Sequence, residues 1–350
     1  MTRSFIQADR DNSPKRLVGL DKTSEVAARS VWFTGPRQVE LRTEQLGILG
    51  PAEVRIRAVA SAISHGTEML VFRGEVPAGM ELDLPTLSGS FSFPIKYGYA
   101  SVGRIVEIGS GVDGFEIGDA VFVLHPHQTE YVVPASMPIR LPQGLDPTLG
   151  VFLANLETAV TIVLDAAPRL GERVIVFGQG VVGLLITQLL KRTGASEVVV
   201  VDPVRRRREL ALRLGADAAV APGDAVREFD IAIEASGSPS ALDAALASVA
   251  FGATVVVCSW YGTKPVQVLL GGPFHRRRLR IISSQVGTID SALQPRWTHR
   301  RRLELALDLL PRLQLEPLIS HRLPFADAAE AYELIDQHPE QTTQVLLTYQ

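Results

Sequence analysis

The stretch VIVFGQGVVGLLITQLL, residues 174–190, constrains the fold more than any other part of the chain. A continuous apolar run ends at Gly178, and Gly178, Gly180 and Gly183 make G-x-G-x-x-G before a second apolar run of helical length. Each glycine has a separate physical task. The first permits a tight turn, the second lets a pyrophosphate approach the backbone, and the third lets helix and strand pack closely. The N-terminus of the helix then presents free N–H groups and a partial positive charge to phosphates. Alone the pattern is weak, but here it sits between strand and helix. The next apolar strand, EVVVVD, ends in Asp202, near the spacing at which an acid meets an adenosine ribose. These features predict a dinucleotide site built from Gly178, Gln179, Gly180, Val181, Val182, Gly183, Asp202 and Arg207, with Ser236 and Gly237 closing it after the strand FDIAIEASG.

Around this stretch the chain alternates strictly. RVIVFG, EVVVVD, AAVAP, FDIAIE, GATVVVCSW and LRIISS read as strands, and helical segments separate most of them. Strands that are nearly continuous Val/Ile runs between helices imply a parallel sheet covered on both faces, a Rossmann-type doubly wound α/β unit. Before it the pattern is β-rich. SVWFTGPRQVELR reads as a hairpin about Gly35-Pro36, and EVRIRAVASAIS, SVGRIVEIGSGV, DAVFVLH and TEYVVPASMPIRLP read as further strands. Residues 72–96, rich in Pro, Gly and Ser, read as a long loop. Two helices follow residue 300, and TTQVLLTY reads as a closing strand. The expected organisation is an extension over 1–28, a β-rich domain over 29–155, the Rossmann unit over 156–290 and a return to the first domain over 291–350.

Net charge is −3, so neither nucleic acid nor an anionic membrane is an expected partner. The single cysteine, Cys258, cannot close an internal disulfide, and no secretory h-region or bilayer-length uncharged apolar run is read. A cytoplasmic protein acting on a small molecule is expected. Asp202 favours NAD, because a carboxylate repels a 2′-phosphate, whereas the arginines 205–208 leave NADP as the alternative.

The segments VWFTGPRQVELR, YGYASVGRIVEIGSGV, FEIGDAVFV, EYVVPA, GERVIVFGQGVVG, RRRRELALRLGADAAV and LISHRLPFADAAEAYELI together resemble the medium-chain dehydrogenase/reductase superfamily, from Val31 to Tyr349. SAISHGTEML is similar to its zinc-poor branch that includes bacteriochlorophyllide dehydrogenases. The resemblance implies a GroES-like β-rich catalytic domain followed by the Rossmann domain, and a homodimer or homotetramer that pairs Rossmann sheet edges, with TKPVQVLLGG able to add a strand.

It also implies where zinc ligands would fall. The zinc alcohol dehydrogenases carry Gly-His-Glu where this chain has Gly98-Tyr99-Ala100, so a phenol replaces the histidine ligand. Ser64 falls where the family has a cysteine ligand, Glu157 at the third position, and the four-cysteine lobe is missing. A catalytic zinc needs three protein ligands, and these positions supply at most one good one, so no zinc is expected. Other groups must then manage the carbonyl oxygen or alcohol proton. The candidates are Tyr99, His65, Thr67, Glu157 and His127. His125 and His127 flank Pro126 and would point the same way on an extended segment, so metal, proton-handling and structural roles all stay open. Arg296 and Trp297 are candidates for a substrate mouth. The expected activity is zinc-independent, NAD-dependent hydride exchange with a secondary alcohol or ketone. The alternatives are an enoyl or quinone reductase and a non-catalytic dinucleotide-binding protein.

Overall fold

The computed structural model describes residues 26–77, 79–82, 86, 89–224 and 227–350. Most of the expected extension lies outside these residues. The expected hairpin is present: β1 (Val26–Gly35) pairs antiparallel with β2 (Gln38–Leu46). β3 (Glu53–Ile63) leads into a short helix, α1 (Thr67–Arg73), where the sequence reading placed no helix. β4 (Ile95–Lys96) joins β1, forming a small sheet in the order β2-β1-β4.

A larger sheet carries the catalytic half. β5 (Ser101–Ile108), β6 (Ala120–Val123), β7 (Glu130–Pro134) and β8 (Ile139–Arg140) follow one another. At the far end of the chain, β15 (Ile319–Pro324) lies parallel to β16 (Gln344–Thr348), and β16 pairs antiparallel with β3. The sheet order is β15-β16-β3-β5-β6-β8, with β7 also on β3. The return of the C-terminus to the first domain is therefore a strand addition.

Between these ends lies a six-stranded, all-parallel sheet in the order β11-β10-β9-β12-β13-β14. Its strands are β9 (Arg173–Phe177), β10 (Glu197–Val201), β11 (Ala218–Val220), β12 (Phe229–Glu234), β13 (Val249–Val257) and β14 (Arg280–Ser283). Helices α2 (Leu153–Ala166), α3 (Val181–Leu190), α4 (Arg205–Arg213), α5 (Pro239–Ser248), α6 (His299–Leu309) and α7 (Ala328–Gln337) complete the chain. The strand order reverses between β9 and β12, and a doubly wound sheet of this kind binds its ligand at the carboxyl ends of the strands at that point. One buried apolar cluster runs from Ala60, Val102 and Phe122 of the catalytic sheet through Leu153 and Leu156 to Val174, Leu185 and Val200. The two halves are thus packed on a shared core.

Pro147–Ala166 is apolar and long enough by composition to cross a bilayer, but it carries Glu157 and Asp165 and so is not an uncharged run. More than half of it is buried inside the protein, and α2 packs on α3 and α6, so its apolar side chains are spent on the core. TKPVQVLLGG forms no strand, and the sheet edge on that side is β14.

Candidate active site

The glycine turn has the geometry its sequence demands. Gly178 has φ +93°, and a Cβ there would lie 2.7 Å from Ser236 Cα. A Cβ on Gly183 would lie 1.9 Å from the Gly178 carbonyl oxygen, so strand and helix approach as only glycine allows. Gly180 faces open space, with nothing within 4 Å of its Cβ position, and no side chain caps α3. That combination is a cradle for a diphosphate.

The remaining expected dinucleotide residues divide by what they touch. Gln179 is fully buried. Its Nε2 donates to the Gly178 carbonyl at 3.0 Å, and its Oε1 accepts from Thr187 Oγ1 at 3.0 Å. Its side chain thus braces the turn from beneath. Val181 and Val182 are the first residues of α3. Asp202 stands at the end of β10 and accepts the backbone N–H groups of Gln179 at 2.7 Å and Val204 at 2.8 Å. Arg207 donates to the carbonyls of Pro339 and Thr342 (2.7 Å to Thr342), joining α4 to the loop before β16. Its Nη1 is 3.9 Å from Asp202, and its buried Nε has no protein partner among the described residues. Ser236 and Gly237 follow β12, where both backbone N–H groups and the Ser236 hydroxyl donate to one carboxylate oxygen of Glu234. The other oxygen accepts from Tyr261 at 2.7 Å. Glu234 is completely buried and had no role in the sequence reading. An acid closing the apolar strand FDIAIE was the available signal, since a carboxylate in such a run needs several donors to be tolerated.

Across the cleft, the phenol of Tyr99 projects from the segment between β4 and β5. Burial, reinforced by the charge of Glu68, pushes its pKa up to about 12, while hydrogen bonding with the Ser64 and Thr67 side chains pulls the other way. Tyr99, Ser64 and Thr67 are therefore brought together. Thr67 opens α1, and the following residue, Glu68, is wholly buried. Glu68 Oε1 accepts the backbone N–H of Ser64 at 3.0 Å. Its Oε2 accepts from His127 Nε2 and from the Tyr332 hydroxyl, each at 2.9 Å. His127 Nδ1 lies 2.6 Å from Ser61 Oγ, which is 2.7 Å from the Tyr349 hydroxyl. Glu68 was missed in the sequence because an acid in a stretch with no predicted element reads as ordinary solvated charge.

The two histidines of His125-Pro126-His127 do not act together. His125 stacks on Tyr131 with ring centroids 3.8 Å apart, and its Nδ1 bonds the Pro126 carbonyl at 2.9 Å. Burial holds its pKa down to about 3. His127 instead meets Glu68 and Ser61. The expected shared direction fails because the segment leaves β6 at Val123 and is no longer an extended strand there. His65 is half-buried, its buried Nε2 has no protein partner among the described residues, and desolvation of the ring, helped by Arg207, Arg73 and His321, holds its pKa down to about 3. Glu157 pairs with Arg302 at 3.2 Å rather than with the Tyr99 group. Burial raises its pKa, and Arg302 opposes that rise. Trp297 lies under the Arg301 guanidinium at 4.3 Å, close to the exposed Arg296.

A family model described as the alcohol dehydrogenase GroES-like domain matches residues 50–138, and one described as zinc-binding dehydrogenase matches residues 181–299. The D-guloside 3-dehydrogenase of Escherichia coli K12 is 30% identical over 354 residues, covering 90% of this chain and 98% of its own. The chain belongs to the zinc-type medium-chain dehydrogenase/reductase superfamily. As a member it is an NAD(P)-dependent oxidoreductase. The chain is also similar to the 2-desacetyl-2-hydroxyethyl bacteriochlorophyllide A dehydrogenase of Cereibacter sphaeroides, at 28% identity over 329 residues, 89% of this chain and 95% of that one. Among solved structures, a short chain alcohol dehydrogenase of E. coli CFT073 complexed with NADH has the same fold, with TM-score 0.75 and 21% identity over 92% of this chain and 99% of its own.

The superfamily implies two groups whose fit to these residues can be tested. The dinucleotide fits, given the open Gly180 cradle and the uncapped N-terminus of α3. Zinc does not. Among the described residues no three His, Cys, Asp or Glu side chains are grouped to hold a metal. Tyr99 and Ser64, at two of the inherited positions, offer a neutral phenol and an alcohol, which are poor zinc ligands.

Proposed function

We propose that the protein exchanges hydride between NAD and a secondary alcohol or ketone without zinc, and that the Tyr99 hydroxyl serves the substrate oxygen. The carrying observation is the Tyr99 phenol, partly buried beside Ser64 and Thr67, with its pKa raised to about 12. Such a phenol is neutral at physiological pH. It can donate a hydrogen bond to a ketone oxygen and pass its proton to the alkoxide that forms, since an alkoxide is the stronger base. Thr67 and Ser64 can then relay a proton from solvent back to the Tyr99 phenolate, each hydroxyl giving one proton as it takes another. When bound, the nicotinamide supplies or takes the hydride at carbon. His65 and His125, held neutral, are weak acids and add no positive charge there.

The glycine cradle would hold the diphosphate, and Asp202 would meet the adenosine ribose. NAD is favoured over NADP because the Asp202 carboxylate occupies the strand end, while Arg207 Nη2 is spent on the Pro339 and Thr342 carbonyls and Nη1 lies 3.9 Å from that carboxylate. His65 Nε2 and Arg207 Nε, without a partner among the described residues, support a further anionic contact by the cofactor. An alcohol substrate is supported by relatives named for a guloside and for a hydroxyethyl bacteriochlorophyllide. We also propose a cytoplasmic homodimer or homotetramer. The free edge strand β14, with exposed Ile281 on it and exposed Phe251, Leu269 and Leu270 on the same domain, supports the assembly.

The test is Tyr99→Phe. Turnover should fall about 10²–10³-fold while NADH binds as before. Unchanged turnover would overturn the role. Elemental mass spectrometry of the untagged protein should find well under a tenth of an equivalent of zinc, and close to one equivalent would overturn zinc independence. Reduction of an enone panel in place of ketones would favour the reductase alternative.

A further inference from the structure

Four aromatic rings form a strip from the carboxyl edge of the parallel sheet to Tyr99. Ring centroids are 6.2 Å apart between Trp260 and Phe91, 5.7 Å between Phe91 and Tyr97, and 6.4 Å between Tyr97 and Tyr99. All three lie within the range in which aromatic rings contact one another. Trp260 comes from the Rossmann half and the other three from the catalytic half, so the strip joins the two halves.

Its position is fixed at both ends. Trp260 lies just beyond β13, between two anchored neighbours. The Ser259 hydroxyl accepts the Gly237 N–H at 2.9 Å, and the Tyr261 hydroxyl donates to Glu234. Trp260 therefore stands beside the loop that closes the dinucleotide site. At the other end, Tyr99 carries the hydroxyl assigned above to the substrate oxygen. Tyr97 is buried, whereas Trp260, Phe91 and Tyr99 keep part of their surface open. Trp260 belongs to none of the four apolar core clusters. Phe91 also borders a hollow of about 140 Å³ lined with Val76, Pro77, Met80 and Ser90.

A partly exposed tryptophan held by anchored neighbours where the two halves meet, outside the core, is an unspent binding surface. Aromatic faces are flat, rigid and uncharged. They reward a ligand that is itself flat-sided and rigid, because a flexible chain must lose torsional freedom to lie against them. We propose that the strip is the substrate wall. In this assignment the substrate is a neutral secondary alcohol borne on or beside a ring, with the apolar ring face on Trp260 and Phe91 and the carbinol carbon at Tyr99. The assignment rests on the alcohol/ketone reading above, and binding can be measured separately from turnover.

The probes are cyclohexanol and 3-hexanol, secondary alcohols with the same number of carbons. Their affinities for the full-length protein saturated with NADH are measured by saturation-transfer NMR titration. Cyclohexanol should bind at least fivefold more tightly. Trp260→Ala and Phe91→Ala should each remove about fivefold of that affinity and change 3-hexanol less than twofold. Trp260→Phe should restore most of the preference. NADH affinity reports whether each variant keeps its fold, and because Phe91 lies on the other half of the cleft, its variant decides the matter if Trp260→Ala disturbs the cofactor. Equal affinities in the native protein, or a preference that survives both alanine variants, overturn the proposal. Native protein that prefers the ring yet oxidises no alcohol would leave the wall standing and sink the reading on which the carbinol placement rests.

Discussion

His127 Nε2 and Glu68 Oε2 lie 2.9 Å apart with neither side chain exposed to solvent. Through this contact α1, which begins with Thr67, is tied to the segment between β6 and β7. Ser61 of β3 takes the other nitrogen of the imidazole, and Tyr332 of α7 shares the carboxylate. The pair underlies both segments of the candidate site, because the same imidazole lies against Gly98 and the same carboxylate holds the Ser64 backbone.

Glu68→Ala should therefore be severely destabilising. It strands a histidine, a tyrosine hydroxyl and a backbone N–H in a dry interior, and breaking a buried pair of this kind costs about 3–5 kcal/mol. Glu68→Gln keeps an acceptor for part of the set and should cost about 1–2 kcal/mol. Denaturant midpoints measure both. Equal midpoints for the two variants would show that the carboxylate is not the organising group.

Gly98→Ala tests the same junction from the backbone side. Gly98 has φ +127°, and a Cβ there would sit 2.8 Å from the His127 ring. Strain and overpacking together should cost about 2–4 kcal/mol. Turnover should fall along with stability, because Tyr99 is the next residue. A thermal scan paired with a rate assay checks this.

Stability should fall on the acid side. His65 and His125 have pKa values near 3 in the folded protein, pushed down chiefly by burial, against about 6.5 in an unfolded chain. Between those values the unfolded state binds more protons, so stability is complete above pH ~6.5 and is lost as pH falls toward ~3. Each histidine contributes a limiting slope of about 1.4 kcal/mol per pH unit. His125→Phe, which can keep the stack on Tyr131, should flatten the acid limb by about that amount. An unchanged slope in urea titrations at pH 4–6 would refute it.

Stability should also fall on the alkaline side, from Tyr99. Its folded pKa is near 12 and its unfolded value near 10, so its contribution is complete below pH ~10 and is lost as pH rises toward ~12. Tyr99→Phe should remove this part of the alkaline slope.

Asp202→Asn should narrow the cofactor preference. The charge that repels a 2′-phosphate disappears, while one side-chain oxygen still accepts a backbone N–H. NADH affinity should drop about tenfold, and the ratio of NADPH to NADH dissociation constants should move toward one. Fluorescence titration with both cofactors gives the ratio directly.

The parallel sheet was legible in the sequence because its cause is local and repeated. Val174–Phe177 and Val198–Val201 are continuous apolar runs, and only burial on both faces accommodates them. The glycine turn was legible for the same reason, since Gly178 and Gly183 meet backbone atoms that no side chain would leave room for. The replacement of a ligand-type residue by Tyr99 could be seen from one triplet. The buried network around Glu68 could not. Glu68, His127, Ser61, Tyr332 and Tyr349 come from α1, the β6–β7 segment, β3, α7 and the C-terminus, and no spacing rule connects positions 68 and 332. A buried carboxylate and an exposed one have the same letter. Only packing decides which donors surround it, and so whether Glu68 is solvated surface charge or the centre of a network. Likewise Trp260 and Phe91 are unremarked aromatics along the chain. The sequence by itself determined the order of strands and helices and the cradle for a dinucleotide, because these follow from periodicity and backbone sterics. The tertiary structure decided which polar groups are buried together and which rings line the cleft, because burial and proximity depend on how distant segments close over one another.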